Sequence, residues 1–514
     1  MKRGILLFTA LALFTSFRAY AEHINVSGDV SGTWAVDTVF VTADIQVPDD
    51  QSLIVEPGTK IIFEGHFKFD ILPNATLKAS GTELDTVLFS ASDPPTGWRG
   101  IRFVAASDSS KLEYCHITYG KAEGSGVENY GGGIYLSESS PTIVHCLINH
   151  CSASGHGGGI YCDALSNANI LNCTIEQNIV GSWSHGGGIC SSGNPTIRGN
   201  LIINNDSHLG GGIYSGYEHP YIENNIIEDN FSREGGGIYC YYGEPRIINN
   251  LITNNIADST GGWGRGGGIY CKHSDARIIN NTIAQNTAVG EYAGGGGIFN
   301  GVWSGTYAPI VLNCILSEND PEEIFGGTGI HVNYCSVGDS LWSGIGNIQA
   351  DPLFIGGGDF HLSDGSPCIG SGIEALEIAG FWYYAPNEDL EGNLRPNPVG
   401  SDPDMGAYES ALGTPLGISS YNQKHIPNHF TLYSAFPNPF NPTTVLSFQL
   451  SVSSRINLTV YDISGRLVTT LVNGWRDAGV HEVTFDGSDL VSGVYLYRLT
   501  AGEFTDTGKM VLMK

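Results

Sequence analysis

The chain has 514 residues, of which 41% are hydrophobic and 70 are glycine, and it carries a formal charge of −28 at pH 7. The length accommodates two or three domains, and the hydrophobic content excludes a disordered polymer. So acidic a surface repels phosphate backbones and anionic lipid heads, which argues against nucleic acid and membrane surfaces as partners and leaves neutral glycans, cations and other proteins.

Residues 1–21 open with Lys2 and Arg3, continue as an apolar run from Ile5 to Phe14 and end in Ala19-Tyr20-Ala21, the small-x-small pattern of a secretory signal peptide. The run is short for a membrane anchor, and no other stretch approaches spanning length, so no membrane span is expected once the signal is removed. From residue 22 to about 125, "LIVEPGTKIIFEG" and "GWRGIRF" read as alternating strands between turns, the irregular first coils of a repeat region.

Between about 126 and 320 a GGGI tetrad recurs, ending at Ile134, Ile160, Ile189, Ile213, Ile238, Ile269 and Ile298, in steps of 24 to 31 residues. A second landmark precedes a short apolar pair in each unit: Cys146, Cys173, Asn200, Asn225, Asn250, Asn281 and Cys314, with Cys115 in the same slot one turn earlier. From isoleucine to slot the distance is 11 to 13 residues in all but the last unit, whereas from slot to the next isoleucine it swells from 13 to 19. Insertions therefore leave each unit mainly at one corner. Each unit offers three short strand-like runs, as in GIYCYY, PRIIN and LIT, with no helical period between them. One such unit cannot bury its apolar side alone, so the pattern predicts a parallel β-helix with coils stacked about 4.8 Å apart and isoleucines in interior columns. A leucine-rich repeat would need spaced leucines and a helical segment, and a propeller longer four-stranded units. Asparagine is expected at tight corners, where it tolerates the left-handed backbone and its amide can bond to neighbouring backbone groups.

Alternation along the strand sends the residue after each GGGI isoleucine outward. These are Tyr135, Tyr161, Cys190, Tyr214, Tyr239, Tyr270 and Phe299, beside insertions that carry Trp183 and Trp263. Aromatic faces stack on the C–H faces of sugars, so Tyr135, Tyr161, Trp183, Tyr214, Tyr239, Trp263, Tyr270 and Phe299 are the candidate binding residues; the competing reading has the rings only reinforcing neighbouring rungs. A lyase would need clustered carboxylates for calcium and an Arg or Lys to take a proton, for which Arg265, Lys272 and Asp275 are the candidates. Calcium enters only under that alternative; otherwise no cofactor is expected. His156 and His185, each before a GGG run, and Cys162 and Cys190 after them have the residue types of a metal site, but their unequal spacing places the two cysteines on opposite sides of the sheet, and no metal site is assigned. The eleven cysteines are odd in number and follow the repeat, and Cys115, Cys146 and Cys173 are expected as an interior column of thiols.

Beyond 320, "DPLFIGGGDFHLSDGSPCIGSG" and "DLEGNLRPNPVGSDPDMGAYE" are expected to be closing coils, to residue 410, since an open solenoid end is a sheet edge that recruits other chains. Residues 411–428 read as a linker. Residues 429–514 alternate apolar and polar positions between turn signals, a small antiparallel β-sandwich.

The repeats resemble the right-handed parallel β-helix superfamily that includes pectate-lyase-like proteins, and the GGGIY units look like those of bacterial surface repeat proteins, over about residues 40–410. The resemblance implies the fold and leaves the chemistry open, because the fold hosts lyases, hydrolases, adhesins and spacers. From Phe430 to Lys514 the chain resembles the C-terminal sorting domain of the type IX secretion system, carried by Pro437-Asn438-Pro439-Phe440, Tyr461-Asp462-Ile463-Ser464-Gly465-Arg466, Ser492-Gly493-Val494-Tyr495 and the terminal strand from Lys509. That resemblance implies handling by the type IX machinery, export through both membranes, and an extracellular or surface-attached product. The expectation is an all-β, adhesin-like surface protein that binds a polysaccharide or a surface protein through its repeat face. The alternative is a polysaccharide lyase or glycoside hydrolase.

Overall fold

A computed structural model describes residues 23–514 apart from 260–261, 302–306, 327–328, 416–429, 434, 436, 451–453, 477–478, 489, 503 and 514. The expected signal peptide and most of the expected linker lie outside the described residues. The chain divides into two units, Met1–Gly417 and Ile418–Lys514.

The first unit is a parallel β-solenoid. One coil runs through the strands Ile238–Tyr241, Arg246–Ile248, Leu251–Thr253 and Ile256–Asp258, the last a short strand in addition to the three runs legible in sequence. Each pairs in parallel with its equivalent one coil on: Ile238 with Ile269, Ile247 with Ile278, Ile252 with Ile283, Ala257 with Ala288. The GGGI isoleucines from Ile134 to Ile298 align rung by rung and are wholly buried. Burying each such side chain stabilises the stack by about 1.5–3 kcal/mol.

The three glycines have separate reasons to lack a side chain. Gly235 sits at φ +67, in the left-handed region. A Cβ on Gly236 would lie 2.5 Å from the Gly267 carbonyl oxygen of the next coil, and one on Gly237 would lie 2.7 Å from that of Gly268.

The paired asparagines at the corners divide between them the two roles expected of the residue, the left-handed backbone and amide bonds to neighbouring backbone groups. The left-handed residue is the first of each pair, as at Asn224, Asn249 and Asn280. The second turns inward and is buried. Asn225 Nδ2 donates to the Ile197 carbonyl and to Asn250 Oδ1, both at 2.9 Å, while Asn225 Oδ1 accepts from the backbone N–H and the Nδ2 of Asn200 at 2.9 Å. The chain of bonds continues through Asn281, and a parallel ladder runs from Asn178 through Asn205, Asn230, Asn255 and Asn286 to Asn319. Cysteine replaces asparagine at the ladder ends, where the backbone N–H groups of Cys146 and Asn281 point at the sulfurs of Cys173 and Cys314 at 3.4 Å. All eleven cysteines are free and buried.

The solenoid starts at strand Ile24–Asp29, paired to Thr38–Val47, and ends near residue 348, where Trp342 packs against the core and Asn347 Oδ1 accepts from the Cys335 N–H. Residues 349–412 are not the closing coils expected from sequence. They form two antiparallel hairpins and irregular strap segments that lie against the outside of the coils. The outward-facing left-handed asparagines hold this strap: Asn249 Nδ2 donates to the Glu388 carbonyl (2.6 Å), Asn280 to that of Asp404 (3.1 Å) and Asn313 to that of Ile373 (2.8 Å). Arg395 and Glu409 form a wholly buried pair at 2.9 Å, and Arg395 Nη1 donates to Asn249 Oδ1 at 2.7 Å.

The second unit has a three-stranded and a four-stranded antiparallel sheet sharing one core that includes Phe448, Leu458, Phe485 and Tyr497. Asn438 pins the last strand, donating to the Lys509 carbonyl (3.0 Å) and accepting from the Val511 N–H (2.8 Å). Asp462 closes the YDISGR turn by accepting from the Ser464 and Arg466 N–H groups.

Candidate functional site

The aromatic strip that alternation predicts is present but submerged. Tyr135, Tyr214, Tyr239, Tyr270 and Phe299 point away from the isoleucine core, yet all are buried, and Tyr161 is half-buried. Two causes act together. Successive rings cover one another, as in the stacked pairs Tyr135–Tyr161 (5.6 Å) and Tyr214–Tyr239 (5.5 Å). The residues before each GGG run, His156, His185, Leu209, Glu234 and Arg265, then fold over the strip, with His185 stacked on Tyr214 at 4.5 Å.

Above this strip lies a groove of about 450 Å³, lined by Tyr130, His156, Tyr161, His185, Tyr241 and Lys272 among others. His156 and His185 stack at 4.4 Å. Burial pushes both imidazoles below their ordinary range, His185 to about 4, so they face the groove uncharged at neutral pH. Cys190 lines the groove while Cys162 belongs to the interior core, on opposite sides of the sheet. Among the described residues no three His, Cys, Asp or Glu side chains converge as metal ligands.

Three further rings stand beside the groove, in the turns that follow the strands at Ile213, Ile238 and Ile269, exposed at Tyr217 and half-buried at Tyr242 and His273, at positions that the alternation argument passed over. Tyr217, Tyr242 and His273 each come four residues after a GGGI isoleucine and each has a left-handed backbone. Their rings stack coil on coil, Tyr217 to Tyr242 at 5.7 Å with 8° between planes and Tyr242 to His273 at 5.5 Å with 27°. Tyr241 meets Tyr217 edge-on at 5.3 Å, and Tyr217 is 60% exposed. The signal for this column was in the sequence as YSGYE, YCYYG and YCKHS at equal offsets.

The lyase candidates separate. Arg265 is spent on Glu234 (3.6 Å) and on the faces of Trp263 (4.3 Å) and Phe299 (5.2 Å). Asp275 accepts from the Ala308 N–H of the next coil at 2.6 Å. Lys272 alone of the three lines the groove, its ammonium 5.8 Å from the Tyr241 ring. Trp263 stacks on Tyr292 at 4.7 Å and is 46% exposed, and Trp183 borders a different groove.

The model of the right-handed β-helix region matches in three overlapping stretches, residues 44–192, 100–287 and 191–341, which together exceed half of the chain. The model of the secretion system C-terminal sorting domain matches residues 434–513. Comparison with curated proteins and with solved structures returns no match. No helix among the described residues is long and apolar enough to cross a membrane. With its coils in register and its sorting motifs folded as one small β domain, the chain belongs to the right-handed β-helix family and is exported by the type IX route across both membranes to the cell surface or the extracellular space.

Proposed function

We propose that this exported solenoid binds a glycan chain laid along its coils, over the aromatic turn column and the groove beside it. The observation that carries the reading is the run Tyr217, Tyr242, His273, one ring per coil at 5.5–5.7 Å spacing, which lines up ring edges and their polar atoms at a repeat on the scale of successive sugar rings. Tyrosine hydroxyls and the neutral imidazoles supply hydrogen bonds, and Lys272 is the one cation in the groove lining among the described residues. The acidic surface favours an uncharged chain over a uronate polymer.

The test is affinity electrophoresis of the exported protein through gels containing neutral polysaccharides and, separately, a polygalacturonate, with absorbance of unsaturated products followed in solution. Retardation by a neutral polymer, weakened roughly tenfold in Tyr242→Ala, is expected, since losing the middle ring removes its own contact and unseats the two rings stacked on it, on the order of 1–2 kcal/mol together. Retardation equal in Tyr242→Ala and wild type, or release of unsaturated product, would overturn the reading.

A further inference from the structure

A second groove, of about 460 Å³, opens on the other side of the ridge at His208, between the short strands and the insertion that carries Trp183. Trp183 is 71% exposed and takes a left-handed backbone, φ +67, that bulky side chains rarely adopt. Nothing in the core repays that conformation. The ring is held in place from outside, by the His208 imidazole at 4.6 Å and by the Arg233 guanidinium at 5.8 Å. Opposite it the groove presents Phe231, itself exposed, and the carboxylates of Asp206 and Asp258. Among the described residues, Oδ1 of Asp258 is buried and finds no hydrogen-bond donor.

We propose that this groove is a second carbohydrate site, one that takes a single uncharged, hydroxyl-rich sugar, with its apolar face on Trp183 and its hydroxyls donating to Asp206 and Asp258. An aromatic platform facing carboxylate acceptors suits a polyol with one flat C–H face, because hydroxyls satisfy carboxylates without requiring a counter-charge. The two carboxylates disfavour a uronic acid by like-charge repulsion, and Arg233 is already turned to the Trp183 ring. The site differs from the turn column in place and in chemistry, so either assignment can fail without the other.

The experiment titrates the full exported chain with cellohexaose, laminarihexaose and mannohexaose, and with hexagalacturonate as the acidic probe, following tryptophan fluorescence and calorimetric affinity together. Wild type is expected to bind at least one neutral hexaose with a fluorescence change. Trp183→Ala should abolish that change and weaken this binding roughly tenfold, Asp258→Asn should weaken it severalfold, and Trp183→Phe should keep most of it. Tyr242→Ala should leave the Trp183 fluorescence change in place. Trp183 is exposed, so its variants are expected to retain wild-type circular dichroism. Unchanged affinity and fluorescence response in Trp183→Ala would overturn the site while leaving the turn column standing. Tighter binding of hexagalacturonate than of every neutral hexaose, or no binding of any probe by wild type, would also overturn it.

Discussion

At the residue scale the ladder asparagine is the most constrained side chain in a coil. Asn225 serves Asn200 above, Asn250 below and the Ile197 carbonyl across the corner, all out of water. Alanine there would strand several buried donors and acceptors at a cost of about 3 kcal/mol, given 1–3 kcal/mol for each polar group left unpaired. Cysteine should cost less, about 1 kcal/mol, because the same slot already works with sulfur at Cys173 and Cys314. Denaturant midpoints of Asn225→Ala and Asn225→Cys check the order; an equal or larger loss for cysteine would contradict the ladder account. The thiols make a second prediction. All eleven thiols are buried out of a reagent's reach, and burial also pushes Cys151 and Cys162 up to about 12, where the reactive thiolate is scarce, so iodoacetamide at pH 8 should leave the folded solenoid unmodified and label all eleven cysteines once it is denatured. A disulfide would appear as two cysteines missing from the denatured count.

At the scale of the element, the interior was legible in the sequence because inward isoleucines and inward glycines each answer to a local rule: alternation in one case, a clash with the neighbouring coil in the other. The outward aromatics at Tyr214 and Tyr239 were legible in direction only. Their burial depends on what the residue before the next GGG run does overhead, and alternation along one strand carries no information about that. The turn column at Tyr217 and Tyr242 was missed for a related reason, since it lies in a left-handed turn where period-two reasoning has already stopped. The strap is the third case. Its apolar residues match the closing coils in composition, yet they pack on the outer faces of Ile279 and Ile310 rather than extend the stack. Its anchor is the buried Arg395–Glu409 pair, and Arg395→Met would leave the Glu409 carboxylate buried without a counter-charge, at about 3–5 kcal/mol. Limited proteolysis should then cut within 349–412 while the coils up to 348 stay intact. The double variant Arg395→Met with Glu409→Leu should recover most of the protection, because two apolar side chains leave no charge to satisfy. Simultaneous loss of strap and coils in the single variant would mean that the strap is integral to the solenoid rather than laid upon it.

At the scale of the whole molecule, each coil pairs with its neighbours, and the strap adds ties to several coils, so stability is close to a sum over coils, interfaces and strap contacts, and an entire coil should be removable. Ile213 and Ile238 occupy the same register one coil apart, so deleting residues 214–238 joins Ile213 to Tyr239, the residue that stacks beneath Tyr214. Asn200 would then meet Asn250, and Asn205 would meet Asn255, with both ladders closed again. The strap would lose its longest tie, from Asn224 to the Asp389 carbonyl at 3.5 Å, and keep those from Asn249, Asn280 and Asn313. The shortened chain should therefore remain soluble with an unchanged β-sheet circular dichroism signal per residue and a cooperative thermal transition. Deleting only residues 214–225 removes strand Tyr221–Glu223 and most of Ile213–Gly216 and leaves the rest of that coil out of register, which puts apolar side chains on the wrong face, and this chain should aggregate. Function supplies an independent readout. The whole-coil deletion takes Tyr217 out of the turn column but leaves Tyr242 on His273, so retardation by the neutral polysaccharide should weaken without vanishing. If the two deletions behave alike, register between coils is not what holds the solenoid together.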